Sequence, residues 1–227
     1  HLETEADLTI GAIETPVSDA SRFGVFEVDN SSRVLSFEEK PPQPRTIPGN
    51  PSAALVSMGI YIFKAKVLKE VLEADAFLPG SSHDFGKDVI PRMVENQRAV
   101  YVFNFQDENK KDAKYWRDVG TLDSYWEANM DLVSVDPHFN LYDRKWPMRT
   151  HVPSLPPAKF VFADPGVRFG AAGDSIVSPG CIVSGSLVDH CVLGPEVRIN
   201  SYSEVHESIL FDRVVVGRKS RIRRAII

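Results

Sequence analysis

Three short stretches of this 227-residue chain hold residues whose types and spacing could do chemistry. The first is Phe37-Glu38-Glu39-Lys40-Pro41, followed by a run rich in proline (Pro42, Pro44, Pro48, Pro51). A carboxylate beside an ammonium suits a phosphorylated sugar, with Lys40 as a point charge for phosphate and Glu39 as an acceptor for hydroxyls. A solvated surface pair would carry the same two residues. The second stretch is Tyr115-Trp116-Arg117-Asp118-Val119-Gly120-Thr121. Asp118 could ligate Mg²⁺ held against nucleotide phosphates, because that ion takes one or two carboxylates and completes its shell with phosphate oxygens. The plain structural reading makes Gly120 a bend and Thr121 a helix N-cap. The third, Ser82-His83-Asp84-Phe85-Gly86-Lys87-Asp88, reads first of all as a capped helix start. His190 and His206 lie further along, as a general base or as ordinary surface.

Such residues need elements to hold them. Residues 1 to about 134 alternate strand-like and helix-like patterns. Leu8, Ile10 and Ala12 alternate with Thr9 and Gly11, as in a strand, and Val25–Val28 with Val34–Phe37 flank four turn formers, Asp29 to Ser32, as in a hairpin. Leu55–Phe63 reads as a buried strand and Ala99–Phe105 as another. Lys64–Ala74 places Val67, Leu68, Val71 and Leu72 on one helical face; a second helix spans about 85–95 with Asp84 as N-cap, and a third spans Leu122–Val133. This alternation predicts a layered α/β domain with a mainly parallel sheet. Ligands of open α/β sheets bind beyond the carboxyl ends of strands, which is where Glu39 and Lys40 fall.

Residues 135–165 change character, with Asp136-Pro137, Trp146-Pro147, Val152-Pro153 and Leu155-Pro156-Pro157. Proline fixes φ and removes a donor, so this is a semi-rigid connector, and Phe139, Tyr142 and Trp146 are expected to pack it down. From about residue 166 apolar residues recur six apart: Ile176, Ile182 and Val188, then the pairs Cys191/Val197, Ile199/Val205, Ile209/Val215 and Val216/Ile222. That period marks a left-handed parallel β-helix, each hexad supplying one face of a triangular coil. A β-sandwich, the alternative, would show period two.

Composition excludes several classes. The net charge of −5 gives no electrostatic reason to expect nucleic acid. Two cysteines, Cys181 and Cys191, with no Cys/His cluster at ligand spacing, argue against zinc and a disulfide scaffold. Ala53–Phe63, the longest nearly apolar stretch, is far short of a bilayer span, and the acidic N-terminus lacks the form of a secretory signal, so no membrane and a cytoplasmic location are expected. The sequence starts at His1 and stops at Ile226-Ile227 within apolar patterns, and reads as a fragment.

Taken together and in order, Ser21-Arg22-Phe23-Gly24-Val25, Phe37 to Pro41, Ser57-Met58-Gly59-Ile60-Tyr61, Ser82 to Asp88 and Tyr115 to Thr121 resemble the bacterial glucose-1-phosphate adenylyltransferases, or ADP-glucose pyrophosphorylases. Tyr142-Asp143-Arg144, Trp146-Pro147 and Leu155-Pro156-Pro157-Ala158-Lys159-Phe160 continue the resemblance, which spans essentially the whole chain. It implies an α/β fold: part of a Rossmann-like, mixed-sheet nucleotidyltransferase domain (1–134), the connector (135–165), and a left-handed parallel β-helix (166–227). By the same resemblance, Lys40 holds the phosphate of glucose 1-phosphate and Glu39 contacts its hydroxyls, while Gly24, Ser57, Tyr61, Asp84, Phe85 and Trp116 line the hexose pocket. Lys40 and Asp118 are implied to be catalytic, with Asp118 one of two aspartates that bind Mg²⁺. The implied reaction is attack of the sugar phosphate on the α-phosphorus of ATP, giving ADP-glucose and pyrophosphate, in which positioning and charge neutralisation supply the rate.

The family's glycine-rich nucleotide loop and first metal-binding aspartate are not among these residues, so the chain is expected to carry the sugar half of the site and to be inactive alone. Arg221, Arg223 and Arg224, in a basic cluster with Arg218 and Lys219, are the expected contacts for allosteric sugar-phosphate or AMP-type anions, and a homotetramer is implied. A non-catalytic sugar-phosphate-binding subunit, a hexapeptide-repeat acyltransferase and a nucleotidyltransferase using UTP, CTP or dTTP are the rival readings.

Overall fold

Leu8–Pro16 (β1) runs through the first sheet with fully buried Leu8, Ile10 and Ala12 on one face. Around it lie Gly24–Val28 (β2), Val34–Glu39 (β3), Ala53–Phe63 (β4) and Val100–Asn104 (β5), in the order β3-β2-β4-β1-β5. The structure, a computed structural model, describes residues 1–105, 115–145, 147–151, 153–164 and 166–227. It divides into two compact units, His1–Trp116 and Arg117–Ile227.

The first sheet is mixed, and the expectation of a mainly parallel one is corrected. Only β1 and β5 pair in parallel; β1–β4, β2–β4 and β2–β3 are antiparallel. The reason is connection length: β2 and β3 are joined by a tight turn, which can only reverse the chain, whereas a parallel neighbour needs a long crossover. Asp29 locks that turn by accepting from the amides of Ser31 and Arg33 at 2.8 and 2.9 Å. β4 is also not buried throughout, since Ile60 and Ile62 are each 54% exposed. The β1–β4 register jumps from Gly11↔Ile60 to Ala12↔Ser57, so Met58 and Gly59 bulge from the strand between Ser57 and Tyr61.

Val17–Ala20 (α1) is a single helical turn after β1, and Ala65–Ala76 (α2) turns Val67 inward, with Val71 half-buried beside it. Leu72, expected on that face, is exposed, and Asp75 is buried there instead. The second expected helix begins as one π-helical turn, Phe85–Val89, and continues as Ile90–Glu95 (α3), whose Ile90 and Met93 join the core under β1 and β5.

In the second unit, Leu122–Leu132 (α4) starts with a capping box in which Thr121 and Ser124 satisfy each other's amides. Its Trp126 indole N–H donates to the Glu207 carbonyl at 2.7 Å, and Tyr125 meets Phe211. Tyr142 of the connector is 80% exposed and does not pack down; Trp146 and Val152 lie outside the described residues.

Apart from one antiparallel pair, Ala163–Asp164 with Arg168–Phe169, the remaining strands stack in parallel as three sheets, the faces of a β-helix, which disposes of the sandwich alternative. Ile176 sits on Val192 and then Ile209, Ile182 on Arg198 and then Val215, and Leu187 on Glu204 and then Arg221. Those registers make coils of 16 or 17 residues, short of three full hexads. Some hexads therefore lose a residue, so Val183 turns inward rather than Ile182, and Val216 rather than the exposed Val215. Val183, Val188, Leu193, Ile199, Val205, Leu210 and Val216 fill the interior. Hydroxyls line the corners in rungs: Ser175 and Ser208 donate to the carbonyls of Gly173 and His206, and Cys191 donates its thiol to Asp189 on the rung between. Among the described residues no helix is long and apolar enough to cross a membrane.

Candidate functional site

The β2–β3 hairpin builds the first half of the site by pairing Gly24 with Glu39. A Cβ on Gly24 would lie 2.3 Å from the Phe37 ring and 2.9 Å from Glu39 Oε2. A Cβ on Gly86, at the start of the π-turn, would lie 2.5 Å from the same oxygen. Two bare Cα positions thus form the cradle in which the Glu39 carboxylate rests, and only glycine leaves that room. Burial pushes the Glu39 carboxyl up, with Asp84 adding to the effect and Lys40 and Lys87 opposing it.

Lys40 follows in a left-handed conformation, φ 49°. A residue before proline normally stays extended, so this geometry costs about 1–3 kcal/mol and must be held by its surroundings. The Lys40 amide donates to the Phe23 carbonyl at 3.0 Å, which holds it. Its ammonium stays 3.9 Å from Glu39 and is largely exposed, open to an anion from solvent. The Phe23 ring meets Trp116 edge-on at 5.3 Å.

The opposite wall comes from β4 and the π-turn. Tyr61 stacks on Phe85 with centroids 5.4 Å apart, and Phe63 abuts both rings. Burial raises the Tyr61 phenol, with Glu39 and Asp84 adding to the rise and a hydrogen bond from Ser57 opposing it. Ser57 Oγ also accepts from the Gly59 amide across the bulge. Asp84 Oδ1 accepts from the amides of Gly86 and Lys87 at 2.8 and 2.9 Å, so it serves as the expected cap while facing the same carboxylate. Behind this loop, buried Asp75 accepts from His83, Ser81 and Arg92, which fixes residues 81–92 against α2. A separate cavity of about 230 Å³, lined by Phe26, Ile47, Leu55 and Val102 among others, contains none of the expected site residues.

Gly24, Glu39, Lys40, Ser57, Tyr61, Asp84, Phe85 and Trp116 therefore all belong to the first unit and to one connected neighbourhood. Asp118 belongs to the second unit, exposed, with Oδ1 accepting from the Gly120 amide at 3.1 Å. One hard, exposed carboxylate fits an oxygen-preferring divalent ion as a single protein ligand, and not as a complete shell. Arg221 and Arg223 reach Glu204 and Glu207 on the next coil at 3.6 and 3.3 Å, and Arg224 lies over the Trp126 ring. His190 and His206 both face Asp189.

A family model described as nucleotidyl transferase matches residues 1–135. The chain belongs to that family. A second model, described as GlmU-like, C-terminal hexapeptide, matches residues 156–227 of this nucleotidyl transferase chain, in keeping with a left-handed β-helix. Over 228 residues, all of this chain and 54% of the relative, it is 57% identical to a glucose-1-phosphate adenylyltransferase of Koribacter versatilis. Enzymes of the same name from Rhodopirellula baltica and Methylococcus capsulatus are 53% and 50% identical, with all of this chain and 51% and 53% of theirs aligned. The chain spans about half the length of the curated relatives it matches.

Two members of this nucleotidyl transferase neighbourhood escaped sequence reasoning. Lys87 is a second cation whose field reaches Glu39, and Gly86 is half of the cradle. Both lie in Ser82–Asp88, where the helix-cap pattern accounted for every residue and left no unexplained one to single out.

Proposed function

We propose that this chain supplies the sugar-phosphate half of a glucose-1-phosphate adenylyltransferase, which transfers the adenylyl group of ATP to glucose 1-phosphate and releases pyrophosphate. The observation that carries the reading is the pairing of a cradled, partly buried Glu39 with the exposed, conformationally held Lys40. Glu39 accepts hydrogen bonds from hexose hydroxyls, and its rigid cradle sets the register of the ring. Lys40 neutralises the sugar phosphate, with Lys87 as a weaker second cation. Tyr61 and Phe85 give the hexose an apolar wall, with Ser57, Asp84, Gly24 and Trp116 completing the surround.

Little covalent chemistry is asked of these groups. Their contribution is to fix the phosphate oxygen as nucleophile and to offset its charge. A divalent ion, Mg²⁺ in this reading, supplies charge neutralisation at the triphosphate, and Asp118 is the residue of this chain that would hold it. Exposed Arg221, Arg223 and Arg224 suit allosteric anions: the first two sit in surface ion pairs, weakly held and releasable to a phosphate, and the third lies over the Trp126 ring. Homotetrameric assembly and a cytoplasmic setting go with the same reading. An acyltransferase would leave residues 1–135 without a role.

Calorimetry of this chain with glucose 1-phosphate is the test. Binding that Lys40→Ala weakens about tenfold or more is expected, together with no pyrophosphate release from ATP by the chain alone. In a complete enzyme of this sequence, Lys40→Ala raises the KM for glucose 1-phosphate far more than that for ATP. Equal effects on both substrates would overturn the assignment. Turnover with UTP, CTP or dTTP in place of ATP would move the protein to another branch of the family.

A further inference from the structure

One corner of the β-helix brings together groups that the adenylyl-transfer reading does not use. The stacking registers place Gly173, Asp189, His206 and Arg223 above one another, with Asp174 and His190 one residue further along their coils. His190 Nδ1 lies 3.0 Å from Asp189 Oδ1, and its Nε2 lies 3.8 Å from Asp174 Oδ2. His206 Nδ1 approaches the other Asp189 oxygen at 3.5 Å. One ligand atom from each of Asp174, Asp189 and His190 falls within 4.8 Å of the others.

The separation between His190 Nε2 and Asp174 Oδ2 is too long for a hydrogen bond. It does match two ligands that share one tetrahedral ion: bonds of about 2.1 Å put neighbouring ligand atoms about 3.4 Å apart. A metal-bound carboxylate is commonly held by a further hydrogen-bonding group, and His206 Nδ1 faces Asp189 in that way.

We propose that Asp174, Asp189 and His190 form a site for a divalent transition-metal ion of the Zn²⁺ class, with His206 holding Asp189 from the next coil. Mixed nitrogen and oxygen donors favour such an ion over Mg²⁺, which demands oxygen. The ligands come from successive coils, so the ion would staple them.

The experiment titrates the 227-residue chain with Zn²⁺ against a chromogenic chelator at neutral pH and follows thermal unfolding with and without the ion. One Zn²⁺ per chain is expected, with a rise in the unfolding temperature and no displacement by millimolar Mg²⁺. Asp174→Asn and His190→Gln, both near-isosteric, should each weaken binding at least about tenfold and remove the thermal shift. His138→Gln, which removes a different exposed imidazole paired with Asp131, should change neither. Absence of stoichiometric binding, or binding that both ligand variants retain, overturns the proposal.

Discussion

Glu39 shows how a single carboxylate is made useful at a cost to the fold. Its pKa is raised by burial, so between the ordinary carboxylate value of 4.5 and the raised one the folded chain binds more protons than the unfolded chain. Stability therefore falls as pH climbs through that window, and the ionised Glu39 is a net burden at neutral pH. Glu39→Gln should leave the melting temperature at pH 7 unchanged or higher while weakening glucose 1-phosphate binding about tenfold or more; differential scanning fluorimetry and calorimetry on the same sample check both. The two glycines of the cradle should part company. Gly24→Ala drives a Cβ into the Phe37 ring, which has little freedom, and should cost about 1–3 kcal/mol in urea unfolding. Gly86→Ala meets the end of the Glu39 side chain and, less closely, an Asp84 oxygen, with no backbone or ring in the way, so stability should hold within about 1 kcal/mol while sugar-phosphate affinity drops. At this scale the sequence is informative where unusual residue types cluster, as at Glu39-Lys40-Pro41. It is silent where the residue's value lies in an absent side chain, as at Gly86.

Among elements, α2 and the segment behind it depend on a carboxylate that amphipathic patterning hides. Asp75 falls on the helical face of Val67 and Val71, yet an aspartate does not register as core. Its partners His83, Ser81 and Arg92 come from the loop and α3, so only the folded chain reveals them. Hydrogen bonds from His83 and Ser81, against the effect of burial and with help from Arg92, lower its pKa from 3.8 to about 2. A depressed carboxylate contributes stability that is fully present above the unfolded value and lost as pH falls through the folded one. Acid unfolding monitored by circular dichroism should thus steepen between pH 4 and 2, and Asp75→Asn should flatten that limb. Helix and strand positions were legible from period and caps; Asp84 and Thr121 both cap as expected. Sheet direction was not, because strand–helix alternation says nothing about a hairpin that reverses the chain before any crossover. β4 misled for a related reason: its apolar run is continuous, but one end faces solvent beyond the bulge.

At the scale of the whole molecule, two units solve the burial problem differently. The first gathers two apolar clusters against a mixed sheet, the larger of them under helices; the second lines a narrow prism with one apolar residue per face and coil. In a stack of coils each layer touches only its neighbours, so stability is a sum of local terms. Leu193→Ala should remove about 2–5 kcal/mol from the β-helix transition, read by chemical denaturation. The six-residue recurrence was enough to name this architecture. It was not enough to fix which of two adjacent apolar residues points inward, because coils of 16 or 17 residues shift the phase.

Cys181 and Cys191, the chain's two cysteines, are both buried within that prism, and burial pushes both thiols up. A thiolate-seeking reagent should find no target on the closed chain. Every labelling event then records an opening of the prism, and Cys191, bonded into a corner rung, counts the parting of coils at that place. The chain carries its own stopwatch for the breathing of a β-helix, readable by mass without introducing a probe.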